Sequence, residues 1–241
     1  MYNGKTFLAI IPARGGSKRL PRKNVLPLLG KPLIVWTIEQ AKKSKYLDRI
    51  IVSTEDEEIM KVSKSFGAEV LQRPKDLAQD NTPTSDVIIH VIETLEKEGY
   101  KYDFIVLLEP TSPLRKDDDI DNAIEMISKN SYAYSLVSLG EIHLEHPEYV
   151  KIIDNDGFVF PYSQTNKKYY RRQDLPKAYF PYGMVYICKT DVFKERLTFY
   201  TDKTVPYIID RWQNYEIDDL YDFLCIESIL KYKMEVIKWN L

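Results

Sequence analysis

The chain has 241 residues, 44% of them apolar, which is enough to bury the core of an α/β domain unaided. Its net charge is −2, from 34 basic and 36 acidic residues mixed along the chain, and this argues against a nucleic-acid protein working through bulk positive charge. No apolar run approaches the ~18–20 residues of a membrane span, so a cytoplasmic protein without a membrane partner is expected.

Phe7 to Ile11 has the length and branched residues of a buried strand, and it stops at a loop holding Arg14, Gly15, Gly16, Ser17, Lys18, Arg19, Arg22, Lys23 and Asn24. Glycines let the backbone approach an anion, Ser17 offers a hydroxyl, and the cations suit a triphosphate. The loop is neither Gly-x-x-x-x-Gly-Lys-Ser/Thr nor Gly-x-Gly-x-x-Gly. A solvated basic turn is the competing reading, but the cations would repel one another unless an anion or carboxylates relieved them.

After a turn at Leu28 to Pro32, a helix is expected over Leu33 to Ala41 and a second buried strand over Arg49 to Ser53. The unit repeats as a helix over Glu57 to Phe66 closed by Gly67, a strand at Ala68 to Leu71, and a helix over Thr84 to Glu98. Phe104 to Leu108 is the most strand-like run and ends in Glu109-Pro110-Thr111-Ser112-Pro113-Leu114-Arg115, a stiff polar turn. A helix over Asp117 to Lys129 and a strand over Tyr134 to Leu139 follow. This alternation predicts an α/β fold: one domain, 1–241, with a doubly wound, mostly parallel, Rossmann-like sheet and ligands at its carboxyl edge.

The rhythm breaks at residues 143–180, rich in Tyr, Pro and charge. There Tyr149 to Ile153 and Phe158 to Tyr162 flank Asp154-Asn155-Asp156-Gly157, a hairpin signal. A hairpin with exposed aromatics has little core of its own, so a partner chain is a reasonable place to bury them. A strand over Gly183 to Cys188, a short helix over Asp191 to Arg196, a strand over Val205 to Asp210 and a final helix over Leu220 to Tyr232 complete the chain. Cys188 and Cys225 lack metal-type spacing and read as small core residues.

Glu216 and Asp218 alternate about Ile217, so in an extended segment both carboxylates share one face, an arrangement suited to Mg²⁺ with phosphate oxygens as further ligands. Capping of the final helix by Asp218 or Asp219 is the alternative. Asp117 to Asp119 could serve a metal-dependent glycosyltransferase, but the triplet opens a helix and reads better as capping. Arg172 and Gln173 are either a solvated corner or an anion contact, and His90, His143 and His146 read as structural.

Ile11 to Asn24, Ile51 to Thr54, Gln72-Arg73-Pro74 with Leu77-Ala78 and Asp80, Leu107 to Arg115, Arg172-Gln173 and Glu216-Ile217-Asp218 together resemble the acylneuraminate cytidylyltransferases, the CMP-sialic acid synthetases. The resemblance covers residues 7–230 and implies a Rossmann-like nucleotidyltransferase domain, with 143–180 as an inserted arm forming a homodimer. It implies CTP plus a nine-carbon keto-sugar acid giving CMP-sugar and pyrophosphate. Carried over by residue, Arg14, Ser17, Lys18 and Lys23 would hold the triphosphate, Asn24 the ribose, and Arg73 and Thr82 would lie near the cytosine. Asp218 and Glu216 would hold Mg²⁺, and Arg14, Lys18, Lys23 and Asp218 would carry catalysis. Arg172 and Gln173 would reach an active site from the arm.

Three departures bear on the sugar and the metal. Glu109 replaces a Gln usual in the family, and Phe180-Pro181-Tyr182-Gly183 replaces Arg-Pro-Asn-Gly; these positions face the sugar in the family, so legionaminic- or pseudaminic-type acids become candidates. Glu216 stands where Asp is common. Other readings are a nucleotidyltransferase for another sugar or nucleotide and a non-catalytic nucleotide-sugar sensor.

Overall fold

A computed structural model of the chain describes residues 1–163, 169 and 171–239. Strand β1 (Phe7–Pro12) is central because both its faces are apolar. Phe7, Ala9 and Ile11 enter one core cluster, and Leu8 and Ile10 enter a second on the opposite face. A two-strand turn, β2 (Pro27–Leu28) with β3 (Lys31–Pro32), brings the chain into α1 (Leu33–Lys43), followed by β4 (Arg49–Thr54), α2 (Glu57–Ser65) and β5 (Glu69–Gln72). Leu29 and Gly30 adopt positive φ at the tip of that turn.

The second half brings α3 (Thr84–Lys97), β6 (Phe104–Leu107), α4 (Asp119–Lys129) and β7 (Ser135–Glu141). Then come the small hairpin of β8 (Lys151–Ile153) and β9 (Val159–Pro161), β10 (Tyr179–Lys189), α5 (Thr190–Arg196), β11 (Thr204–Ile208) and α6 (Leu220–Trp239). The strands form a seven-stranded sheet in the order β11-β7-β10-β6-β1-β4-β5. Only β10 is antiparallel to its neighbours, because it returns from the excursion that leaves at the end of β7, with Tyr179 opposite Glu141. Helices α1, α2, α4 and α6 contribute to the core on one face, and α3 and α5 to that on the other. The expected doubly wound, mostly parallel architecture is therefore observed.

Between β1 and β6 the winding direction reverses, so their carboxyl ends diverge and open a crevice. The hairpin of β8 and β9 stands apart as its own two-stranded sheet, its turn closed by Gly157 at φ 85° and by the Asp154 carboxylate. Ile153, Phe158, Val159 and Tyr162 on it are exposed. Two expectations need correction. Cys188 is buried, but Cys225 is exposed because α6 turns Phe223 and Ile226 inward and leaves 225 outside. The acidic triplet before α4 does not cap through Asp118; Asp119 is buried, accepting from Tyr207 Oη at 2.8 Å and Gln213 Nε2 at 2.7 Å.

Candidate active site

The loop after β1 lies at the switch point, and the segments after β4, β5 and β6 converge on the same edge. The loop after β1, the segments after β5 and β6 and the approach to α6 line a cleft of about 600 Å³. Arg14, Ser17, Lys18, Lys23 and Asn24 line it from the basic loop, Arg73 and Thr82 from the segment after β5, Glu109 from the end of β6, and Asp218 from the approach to α6. Chain segments up to two hundred residues apart are brought together there.

Repulsion among the loop cations is relieved by carboxylates. Asp80 takes Arg14 at 2.7 Å and Lys18 at 2.5 Å, and those two cations hold its carboxyl below the usual range. Asp218 takes Arg19, and Lys23 Nζ lies 3.6 Å from it while donating to the Ile217 carbonyl at 2.7 Å. Arg22, at positive φ, turns away from the cleft to Asp56 and Glu58. Four of the five cations thus face the cleft in pairs, each pair on one exposed carboxylate that an incoming polyphosphate could displace. Asn24 is buried and its amide donates to the Arg14 carbonyl at 2.9 Å, closing the loop on itself.

Arg73 is almost fully buried and rests on Glu55, whose Oε2 accepts from Nε at 3.0 Å. Burial lowers the pKa of this guanidinium, and Glu55 opposes that fall.

Glu216 and Asp218 do not share a face. Ile217 is buried as expected, but the segment is not a strand, and Glu216 turns into the junction of β6 and β10. Its carboxylate accepts from Ser112 Oγ at 2.8 Å and from the Gly183 amide. Asp219 is the cap of the last helix, accepting from the Tyr221 amide at 2.8 Å, so Asp218 is free to face the cleft.

Glu109 borders both the main cleft and a side pocket of about 250 Å³ lined by Tyr186, Phe199 and Tyr200. Burial, and secondarily the neighbouring Glu216 charge, pushes its carboxyl up to about 7. Its main chain is held by Arg115, a buried guanidinium that donates to the carbonyls of Glu109 at 2.8 Å, Ser112 at 2.8 Å and Gly183 at 2.7 Å. Desolvation brings Arg115 down to about 10.

Phe180 and Tyr182 stack edge-to-face at 5.3 Å and border neither the cleft nor the side pocket, and Gln173 is exposed. The side chain of Arg172 lies outside the described residues.

Sequence reasoning passed over Glu55 and the pairing role of Asp80. Both follow strands at the carboxyl edge, the same signal that marked the basic loop.

A Rossmann-like sheet whose switch-point cleft is lined by two pairs of cations, each resting on an exposed carboxylate, defines a nucleotide-binding protein equipped for polyphosphate chemistry. The family profile described as cytidylyltransferase matches residues 8–235, and the chain belongs to that family. A pseudaminic acid cytidylyltransferase of Campylobacter jejuni is 31% identical over 230 residues, 95% of this chain and 97% of that one. A CMP-N,N'-diacetyllegionaminic acid synthase of Legionella pneumophila is 36% identical over 237 residues, 96% and 99% of the two chains. An N-acylneuraminate cytidylyltransferase of Streptococcus agalactiae is 33% identical over 219 residues, 90% of this chain and 51% of the relative. In fold, the chain resembles a solved CMP:2-keto-3-deoxy-manno-octonic acid synthetase complexed with CTP, at a TM-score of 0.70 and 17% identity, covering 95% of this chain and 99% of that one.

Proposed function

We propose that this protein transfers CMP from CTP to a nine-carbon keto-sugar acid of the sialic, legionaminic or pseudaminic kind, releasing pyrophosphate. The observation that carries this reading is the convergence of Arg14, Lys18, Lys23, Arg73 and Asp218 on one cleft at the switch point of a cytidylyltransferase-family sheet. The anomeric hydroxyl forms the new bond to the α-phosphorus, the α–β phosphoanhydride bond breaks, and the hydroxyl proton leaves to solvent. Such transfer depends on positioning and on charge stabilisation. Arg14 and Lys18, leaving Asp80, and Lys23, leaving Asp218, offset the charge that grows on pyrophosphate.

Mg²⁺ fits this arrangement through Asp218, since magnesium takes one or two protein carboxylates and completes its shell with phosphate oxygens and water. When bound, it supplies positive charge to the phosphate oxygens. Glu216 is engaged with Ser112 and Gly183, so its part is to brace the sugar side of the cleft. Glu109 is assigned to the sugar acid on its position where the cleft meets the side pocket, and the departure from Gln there favours a legionaminic or pseudaminic type. The exposed apolar hairpin suits burial against a second copy in a homodimer, and the substrates suit a cytoplasmic enzyme. Pyrophosphate release with CTP, UTP, GTP or ATP, with and without Mg²⁺, tests the reading: release confined to CTP, sugar acid and Mg²⁺ is expected, and release without the sugar acid or with another nucleotide instead of CTP would overturn it.

A further inference from the structure

Glu55, the residue directly after β4, makes contacts that the proposed chemistry does not use. Its two carboxylate oxygens serve two different walls of the cleft. Oε1 accepts from the Gly15 amide at 2.8 Å, fixing the start of the basic loop. Oε2 accepts from Arg73 at 3.0 Å, and this guanidinium has no other acceptor among the described residues. Both partners of the pair are shielded, with side-chain exposures of 3% for Arg73 and 15% for Glu55. Gly15 sits so tightly over the start of α2 that a Cβ there would overlap the Asp56 carboxylate, so the loop has little room to find another position.

Resting on the cytidylyltransferase reading, we propose that Glu55 is a positioning residue that couples the wall holding the base to the loop holding the phosphates. A buried carboxylate shared between a backbone amide and a guanidinium fixes both in one geometry, so neither wall can shift without loosening the other. At metal sites, contacts of this supporting kind commonly change affinity by about 10- to 100-fold, and an effect of that order is expected here. Glu55 is not a group that would touch the phosphates: it lies behind Gly15 and Arg73, and it is absent from the lining of the cleft.

Two variants and two probes test this. Cytidine monophosphate reads the base wall, inorganic pyrophosphate reads the phosphate loop, and both are titrated by calorimetry at a temperature where each variant is fully folded. Glu55→Ala removes both acceptors and should weaken both probes by about tenfold. Glu55→Gln keeps the shape but has only one acceptor oxygen, so it should weaken the probe of the wall that loses its contact by about tenfold and, through the shared side chain, measurably weaken the other as well. Electrostatics separates positioning from a bulk charge effect: removing a negative charge beside the loop would by itself tighten pyrophosphate, the opposite sign. A purely structural role would lower the melting temperature and leave the dissociation constants of the folded protein unchanged. Tighter or unchanged pyrophosphate binding in Glu55→Ala, or unchanged binding of both probes in Glu55→Gln, would overturn the proposal; if the Ala variant does not fold, the Gln variant decides alone. Wild-type protein that binds neither probe would overturn the nucleotide reading itself.

Discussion

Glu109 offers a quantitative test of the cleft's electrostatics. Its carboxyl packs against the Cα of Gly183 and has no hydrogen-bond donor among the described residues, while its pKa rises from an ordinary 4.5 to about 7, chiefly through burial. At about 1.36 kcal/mol per pH unit, that rise corresponds to roughly 3 kcal/mol. The sign follows from the raised value. Below pH 4.5 the group is neutral in both folded and unfolded chains, and its contribution to stability is fully present. As pH climbs toward 7 the unfolded chain ionises freely and the folded chain does not, so this contribution is lost across that window. Glu109→Gln keeps the volume against Gly183 and removes the titration. Urea unfolding of wild type and variant between pH 4.5 and 8 should show the variant gaining up to about 3 kcal/mol relative to wild type across the window, a midpoint shift of about 1–2 M. A difference between the two proteins that stays constant with pH would refute the assignment of a desolvated carboxyl with a raised pKa at 109.

Further expectations concern the two sides of the cleft. Lys18→Ala and Asp218→Ala should each lower the turnover number by about 10²–10³, measured as pyrophosphate release at saturating CTP, because the first removes a cation facing the developing negative charge and the second the carboxylate proposed to hold Mg²⁺. Arg115→Met should destabilise the fold by at least about 3 kcal/mol in chemical denaturation, because several buried carbonyls lose their donor at once. Gly183→Ala should cost about 1–3 kcal/mol of stability in the same assay, since its Cβ would overlap the Glu109 carboxylate.

The strands and helices around β1 were legible because each carries an apolar period matched to its place: continuous in Phe7–Pro12, helical in Thr84–Lys97. The cleft was legible for a related reason, since polar residues directly following buried strands gather at one edge of a parallel sheet. The direction of β10 was not legible. Its apolar run reads the same forwards or backwards, and only the return from the excursion beside β7 sets it antiparallel. The orientation of Glu216 was also hidden, because alternation about Ile217 assumes an extended strand, whereas Ser112 and the Gly183 amide, far off in sequence, decide where that carboxylate points. The same limit applies to Asp80 and Glu55, whose meaning lies in partners at Arg14, Lys18, Gly15 and Arg73 that spacing does not reveal.

Cytidylyl transfer to a sugar acid can be read from the product itself. Purified protein incubated with CTP, Mg²⁺ and, separately, N-acetylneuraminic, legionaminic and pseudaminic acids should yield a CMP-linked sugar acid, seen by mass spectrometry and by a phosphodiester signal in ³¹P NMR, with pyrophosphate in equal amount. Absence of a CMP-linked product with every one of these acids, in protein that binds CTP, would rule out a cytidylyltransferase acting on nine-carbon keto-sugar acids.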